Sequence, residues 1–515
     1  MISMFLWLFL LFVVWIYIIW SRRKFYALML KLSGPTGYPL IGMAHKLRRR
    51  EEIIKIFHEN EQKYGSLFLS WLGPFPFLVV SDPQIAQDIL TSPYCVNKSL
   101  IYDAVEDGTG RGLFSLKNPE WSVHRKLLNP AFGHSVLLSF VPIFNGEVKE
   151  LMKDLNALVG QGEIELTPVL QKFTMNVATL TTMGIDGNID KVDNNFRSQQ
   201  KNLLLSYQCL LDNMTQMCFS PWLRYRLFHW LGGNYKLYAQ AKHNIHSFIR
   251  QMIRQKLEMS SCAQNVNVDT FNSEKSDNAD IKKTNNNNCF IDLVIDLLRR
   301  GKFTRKNIED ETNVVVFGAF ETTANTLSYT LILLAMFPKY QQKAFEEICT
   351  IFPQRDDFEV TYEDVQQMVY MDMVLNESMR IMASVPLIAR QSSHDVILSN
   401  GVLLPAGLQI VIDIFNMHRR EDIWGAEAAV FNPDHFLPSN MEGKHPYAFI
   451  PFTKGIRNCI GWRYALISMK ITLARILRKY RVTTSFSFLD LQFLEDITLK
   501  LKKTPFLEFH VRSST

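Results

Sequence analysis

One short stretch constrains this 515-residue chain more than any other. Phe452-Thr453-Lys454-Gly455-Ile456-Arg457-Asn458-Cys459-Ile460-Gly461 sets a single cysteine directly before a segment of helical pattern, Trp462 to Tyr480. A sulfur at that position receives backbone N–H groups and the positive end of the helix dipole, which favour thiolate over thiol. Gly455 and Gly461 lack a Cβ and let backbone approach a flat cofactor closely. A thiolate is a strong donor to iron, and haem held by one favours O–O cleavage. The competing reading is a buried cysteine in a turn, but it gives no reason for Phe452, Gly455, Arg457 and Gly461 at these offsets.

The remaining residues must supply a fold around that turn. A hydrophobic content of 47%, with 36 Phe, builds a sizeable core and excludes disorder throughout. The net charge of +6 is small for the length and no basic stripe concentrates it, so nucleic acid is not a partner. The seven cysteines are widely spaced without a CxxC pair, which argues against zinc or a redox dithiol and fits a reduced, cytosol-facing compartment. Ile2 to Trp20 is apolar apart from Ser3 and Tyr17, close to the roughly 20 residues of a spanning helix. A cleaved signal needs a basic start and a small-residue cleavage site, and neither is present. Arg22, Arg23 and Lys24 follow the apolar run and place what comes after them in the cytosol.

This pattern divides the chain into an anchor at 1–21, a basic and Pro/Gly-rich hinge at 22–42, and a single domain at 43–515. Helical periodicity dominates from about Glu51, interrupted by β-rich runs at Leu67 to Trp71, Phe77 to Val80 and Leu408 to Asp413. The expected fold is mainly α with small β-sheets. Residues 260–289, rich in Ser, Asp, Lys and Asn, carry too little apolar content to pack and are expected to form a solvated loop.

Three further motifs bear on chemistry. Gly318-Ala319-Phe320-Glu321-Thr322-Thr323 lies in a long apolar helical pattern, Ile308 to Met336. An acid and a hydroxyl are locally awkward there, and such violations tend to mark functional sites; the bland alternative has Thr322 bonding back to a carbonyl and Glu321 solvated. Glu377-Ser378-Met379-Arg380 places opposite charges on one helix face, usually a solvated surface pair. Trp121-Ser122-Val123-His124-Arg125 is by itself an exposed helix pair.

Together the four segments resemble, in order and spacing, the motifs of the cytochrome P450 superfamily, and Phe452 to Gly461 matches its F-x-x-G-x-R-x-C-x-G signature at every fixed position. The resemblance covers essentially the whole chain. It implies a P450 fold with one long helix over haem b, Cys459 as the axial iron ligand, and Trp121, Arg125, Arg390 and Arg457 at the haem propionates. It further implies that Thr322 orients iron-bound oxygen, that Glu321 relays protons, and that Glu377 and Arg380 lock the core. The activity implied is insertion of one oxygen atom from O2 into a lipophilic substrate: a hormone, a fatty acid or a xenobiotic such as an insecticide. The resemblance implies that electrons come from NADPH through a separate cytochrome P450 reductase, with cytochrome b5 as a candidate second donor, since no flavin or nicotinamide fingerprint is present. Lys126, Lys454, Arg463 and Lys470 are the candidate docking cations. The implied location is the endoplasmic reticulum membrane, microsomal, with the domain facing the cytosol.

Pro451 to Lys470 and Pro433 to Pro438 are most similar to microsomal members of the fourth family's clan, especially insect ones. Three positions depart from the pattern: Ala319 replaces a common Gly, Gly318 replaces the Glu that in some relatives forms a haem ester, and His435 replaces an Arg that contacts the Glu377–Arg380 pair. No covalent haem ester is therefore expected. A haem-thiolate isomerase or dehydratase needing no reductase, and a catalytically silent haem or lipid binder, are the alternatives.

Overall fold

The computed structural model describes residues 2–512 apart from 30, 36, 39, 40, 48, 74, 185–193, 221, 222, 224, 225, 233, 271–288 and 354–357. The helices that build and support the site are α1 (Ile2–Ser21), α2 (Arg23–Met29), α3 (Arg50–Tyr64), α4 (Glu120–Leu128), α5 (His134–Leu158), α6 (Thr167–Met183), α7 (Asn194–Phe219), α8 (Tyr235–Thr270), α9 (Arg305–Met336), α10 (Val369–Ile381) and α11 (Trp462–Lys479). Five strands, β1 (Leu67–Leu72), β2 (Phe75–Val80), β3 (Asn97–Lys98), β4 (Leu387–Gln391) and β5 (Gln409–Asp413), form one sheet in the order β1-β2-β5-β4-β3. Only β2 and β5 run parallel, from Phe77 opposite Gln409 to Val80 opposite Ile412. A hairpin of β6 (Phe493–Glu495) and β7 (Leu499–Leu501) follows near the C-terminus.

α9 is the axis of the molecule. Thr304 and Asn307 close its start in a reciprocal capping box. The helix then packs along α6 and against α7, α8, α10 and α11. A helix covered along nearly its whole circumference needs no polar stripe, which is why its sequence shows little amphipathicity.

Among the described residues no single helix is long and apolar enough to cross a membrane; the apolar helix at the N-terminus is Phe5–Ser21, with exposed side chains. The stretch after it is docked: α2 buries Leu28, and the Leu69 N–H donates to Ser33 O at 3.2 Å. Gly34 permits this because a Cβ would run into the Leu69 carbonyl. α8 continues to Thr270, into the stretch expected to be a loop, since prolonging an existing helix adds one hydrogen bond per residue without a new nucleus. Residues 271–288 of that stretch lie outside the described ones.

Candidate functional site

The cysteine turn is closed by its own backbone. The Cys459 N–H donates to Phe452 O at 3.0 Å, and the Asn458 N–H to Gly455 O at 3.3 Å. Phe452 packs at the edge of the main core. Thr453 and Gly455 take left-handed conformations, with φ of 53° and 76°. A Cβ on Gly455 would collide with the Leu90 carbonyl. That glycine is thus required by the chain's own backbone. Gly461 has an ordinary φ of −94° and an open side, where a Cβ would come no closer than 3.8 Å to the Phe132 ring. Cys459 is accessible, yet desolvation pushes its thiol up, against the Gly461 N–H and the Arg125 cation, which pull it down. An accessible but desolvated sulfur lines an internal cleft rather than the outer surface.

α9 offers the matching wall. Between Asp310 and Ala335 every residue is buried except Val315, Gly318, Ala319 and Thr322. Their i, i+3, i+4, i+7 spacing is a single helix face. A Cβ on Gly318 would meet nothing within 4 Å, so the helix backbone borders open space in the middle of the protein. Ala319 and Ile460, next to Cys459, pack against the same hydrophobic cluster. The Thr322 hydroxyl donates to Gly318 O at 2.8 Å. Glu321 points elsewhere: it is 1% exposed, accepts from Gln171 Nε2 at 3.0 Å, and is ion-paired with Lys500.

Beside the cleft sits a cluster of cations. The β3–β4 register places Lys98 directly opposite Arg390. Both are buried, as is Arg457, and no carboxylate pairs with any of the three among the described residues. Arg457 donates to Val96 O at 3.0 Å, Leu113 O at 3.2 Å and Leu116 O, its guanidinium 4.3 Å from the Trp121 ring. Arg390 donates to Ala389 O at 3.0 Å and has no partner for Nη2. Lys98 Nζ lies 4.2 Å over the Tyr102 ring. Burial, with Arg390 and Arg457 close by, drives the Lys98 ammonium well below its ordinary pKa, and burial with Arg390 lowers Arg457 to about 9. Like charges facing each other across strands repel, and buried unpaired charge is costly. Such a cluster is suited to receive an anion, and the carboxylates of a haem would fit its chemistry. Sequence reasoning missed Lys98, because a two-residue strand carries no periodicity and only its register exposes the pairing. Arg125 stands apart: its guanidinium grips Asn458 through O and Oδ1, both at 2.9 Å, and so holds the cysteine turn.

The Glu377–Arg380 pair is wholly buried. Arg380 Nε and Nη2 reach Glu377 Oε2 and Oε1 at 2.7 and 2.8 Å, and Nη1 donates to the carbonyls of His418 and Ala428 at 2.9 and 2.6 Å. His435 keeps the third contact, its Nδ1 3.0 Å from Glu377 Oε1. Of the docking cations, Lys126 and Arg463 are exposed, and Lys454 donates to Pro446 O. Lys470 is a correction. It is 4% exposed and bonded to Asp372 Oδ2 at 2.7 Å, because α11 is covered on every side from Ile467 to Ala474.

A helical fold around one long axis, an accessible sulfur at a helix start and, among the described residues, a cation cluster without a carboxylate together make a site suited to a flat anionic cofactor. The chain belongs to the cytochrome P450 family, whose model matches residues 32–505. It is 57% identical to a Drosophila melanogaster protein named "Probable cytochrome P450 313a4", over 99% of both chains, and 41% identical to "Probable cytochrome P450 313a3" of the same organism, over 97% of both. Similarity to "Cytochrome P450 4c3", also from Drosophila melanogaster, is more distant at 29% over 92% of this chain and 88% of that one. Family membership makes the chain a P450-type oxidoreductase and implies haem with thiolate-ligated iron.

Proposed function

We propose that the protein is a haem-thiolate monooxygenase inserting one atom of O2 into a lipophilic substrate, with Cys459 as the residue that would hold the haem iron. The observation that carries this reading is the stripe Val315, Gly318, Ala319 and Thr322, the unburied face of a buried helix, bordering the same cluster as the neighbour of an accessible cysteine sulfur. Haem on that sulfur supplies O–O cleavage. The chain supplies the rest. The Gly461 N–H and the start of α11 favour thiolate. Lys98, Arg390 and Arg457, the last stacked on Trp121, would hold the propionates, while Arg125 fixes the turn through Asn458. Thr322 lies on the cleft face with its hydroxyl donating to Gly318 O, so it must leave that carbonyl to serve the cleft, while Glu321 is held by Lys500 and Gln171. Glu377 and Arg380 lock the core beneath. Gly318 offers no carboxylate for a haem ester.

Aromatic contacts between Tyr102 and Phe114 at 5.4 Å, Phe114 and Phe317 at 6.3 Å, and Tyr207 and Phe317 at 6.3 Å suit an apolar substrate: a hormone, a fatty acid or a xenobiotic such as an insecticide. Electrons arrive from NADPH through a separate reductase, with cytochrome b5 as a second donor, at a face bearing Lys126 and Arg463. Residues 1–21 anchor the domain 43–515 to the cytosolic side of the endoplasmic reticulum membrane, supported by the exposed apolar side chains of Phe5 to Trp20 and the basic residues after them.

Turnover of candidate lipids with NADPH, reductase and isotopically labelled O2 tests this: one labelled atom per product is expected, and unlabelled product overturns it. Thr322→Ala should leave haem bound and divert NADPH oxidation away from product. One observation favours the reductase-independent isomerase or dehydratase instead, namely that Glu321 is engaged by Lys500 and Gln171 rather than by Thr322. Turnover persisting without NADPH and reductase would select that reading.

A further inference from the structure

Glu311 takes no part in the chemistry above, yet it is fully shielded from solvent in the first half of α9. Its Oε1 lies 2.6 Å from His124 Nδ1, and its Oε2 accepts the Leu113 N–H at 2.9 Å. The His124 ring is covered in turn by Phe303, 4.6 Å away between centroids. Burial pushes the Glu311 carboxyl up, while the bonds from His124 and Leu113 hold it down.

What these bonds connect is the cofactor site. His124 stands on α4 between Trp121, which stacks on Arg457, and Arg125, which grips the residue before Cys459. Leu113 gives its N–H to Glu311 and its carbonyl to Arg457. Gly112 lies so close to α9 that a Cβ there would sit 2.8 Å from Val314 and 3.1 Å from Glu311 Oε2. Asn313 adds a second tie, from its Nδ2 to Thr109 O at 2.9 Å. One carboxylate therefore joins α4, the loop 110–116 and α9, and each of the three carries a different wall of the haem site.

We propose that Glu311, acting through His124 and Leu113, is a positioning residue that sets the Arg457 and Arg125 cations in register with the cysteine turn and the α9 stripe. This rests on the haem-thiolate reading above. The plainer alternative is a satisfied buried pair that serves stability alone. A control separates the two: Glu147, 1% exposed, pairs bidentately with Arg197 at 2.9 and 3.0 Å and, among the described residues, makes no hydrogen bond to α4, α9 or the loop 110–116.

The experiment compares haem-loaded wild type with Glu311→Ala, Glu311→Gln, His124→Gln and Glu147→Gln. It measures haem transfer to excess apomyoglobin, the fraction of the reduced carbon monoxide complex showing the red-shifted thiolate band, and the thermal midpoint. Glu311→Ala and His124→Gln should release haem faster by on the order of tenfold, the factor one charged hydrogen bond is worth, and lose part of the thiolate band. Glu311→Gln, which keeps an oxygen for the Leu113 N–H, should be partly rescued. Glu147→Gln should lower the midpoint with wild-type haem release. Wild-type release in both Glu311→Ala and His124→Gln, or equal acceleration in Glu147→Gln, overturns the proposal. Should Glu311→Ala fail to fold, His124→Gln carries the same expectation and the same refutation. A wild type lacking the thiolate band would instead overturn the haem-thiolate reading itself.

Discussion

Arg380→Met is expected to cost about 3–5 kcal/mol, because it leaves the Glu377 carboxylate buried without its cation. Both side chains are 0% exposed, so solvent does not soften the loss. Arg380 also donates to the carbonyls of His418, Ala428 and Val430, and orphaning buried acceptors pushes the effect toward the upper end of that range. Glu377→Gln should be milder, about 1–3 kcal/mol, since its amide oxygen still accepts the Asn432 N–H. The double variant should cost less than the sum of the singles by about 1–3 kcal/mol. Equilibrium urea unfolding of the haem-loaded proteins, followed by circular dichroism, measures all three. Acid provides a second check. Burial alone would raise the Glu377 carboxyl, but the bonds from Arg380 and His435 outweigh it and hold the carboxyl below the ordinary 4.5. The folded state therefore takes up that proton less readily than the unfolded chain. The pair's stabilisation is complete above the unfolded value and drains away as pH falls through the folded one, and Glu377→Gln should lack that acid loss. An Arg380→Met protein within about 1 kcal/mol of wild type would refute the reasoning, since that is the worth of an exposed pair.

Three other outcomes are expected. Gly455→Ala and Gly443→Ala start from the same φ of 76°, but only Gly455 abuts backbone, at Leu90; thermal unfolding should show about 1 kcal/mol lost at Gly443 and clearly more at Gly455, and equal losses would dismiss the contact. Burial pushes the Asp413 carboxyl up to about 7 from 3.8, so the folded state holds a proton the unfolded chain has released, and stability falls as pH rises through that window. The loss amounts to at most about 4 kcal/mol; Asp413→Asn should flatten the slope in a pH series of urea unfolding, and an unchanged slope would sink the idea. Lys98→Met should stabilise the haem-free protein, since it removes a buried amine from beside Arg390 and Arg457, while speeding haem loss from the loaded one; the same sign in both states would contradict an anion at the cluster.

Features set by local chemistry were legible in the sequence. The cysteine turn, the three β-rich runs and the Glu377–Arg380 pair all depend on residues within a few positions of each other, and each appears where its pattern indicates. What stayed hidden depends on partners far away in the chain. Lys500 reaches Glu321 across 179 positions and His124 reaches Glu311 across 187, and no periodicity announces either. An acid on a helix reads as solvated until another element covers it, which is how Glu311 escaped notice. The same blindness made Lys470 look like a surface cation, because α11 is polar enough by pattern and buried only by what packs around it. Gly455 shows a further gap: its need for a missing Cβ was apparent, but the neighbour that imposes it, Leu90, was not.

The central claim is that the sulfur of Cys459 holds the haem iron as a thiolate. The carbon monoxide difference spectrum of the reduced, haem-loaded protein tests it most directly, with Cys459→Ser alongside. Wild type should give the red-shifted Soret band of a thiolate-ligated haem, and Cys459→Ser should give none. A haem-loaded wild type without that shift, or a Cys459→Ser protein that retains it, would contradict the assignment.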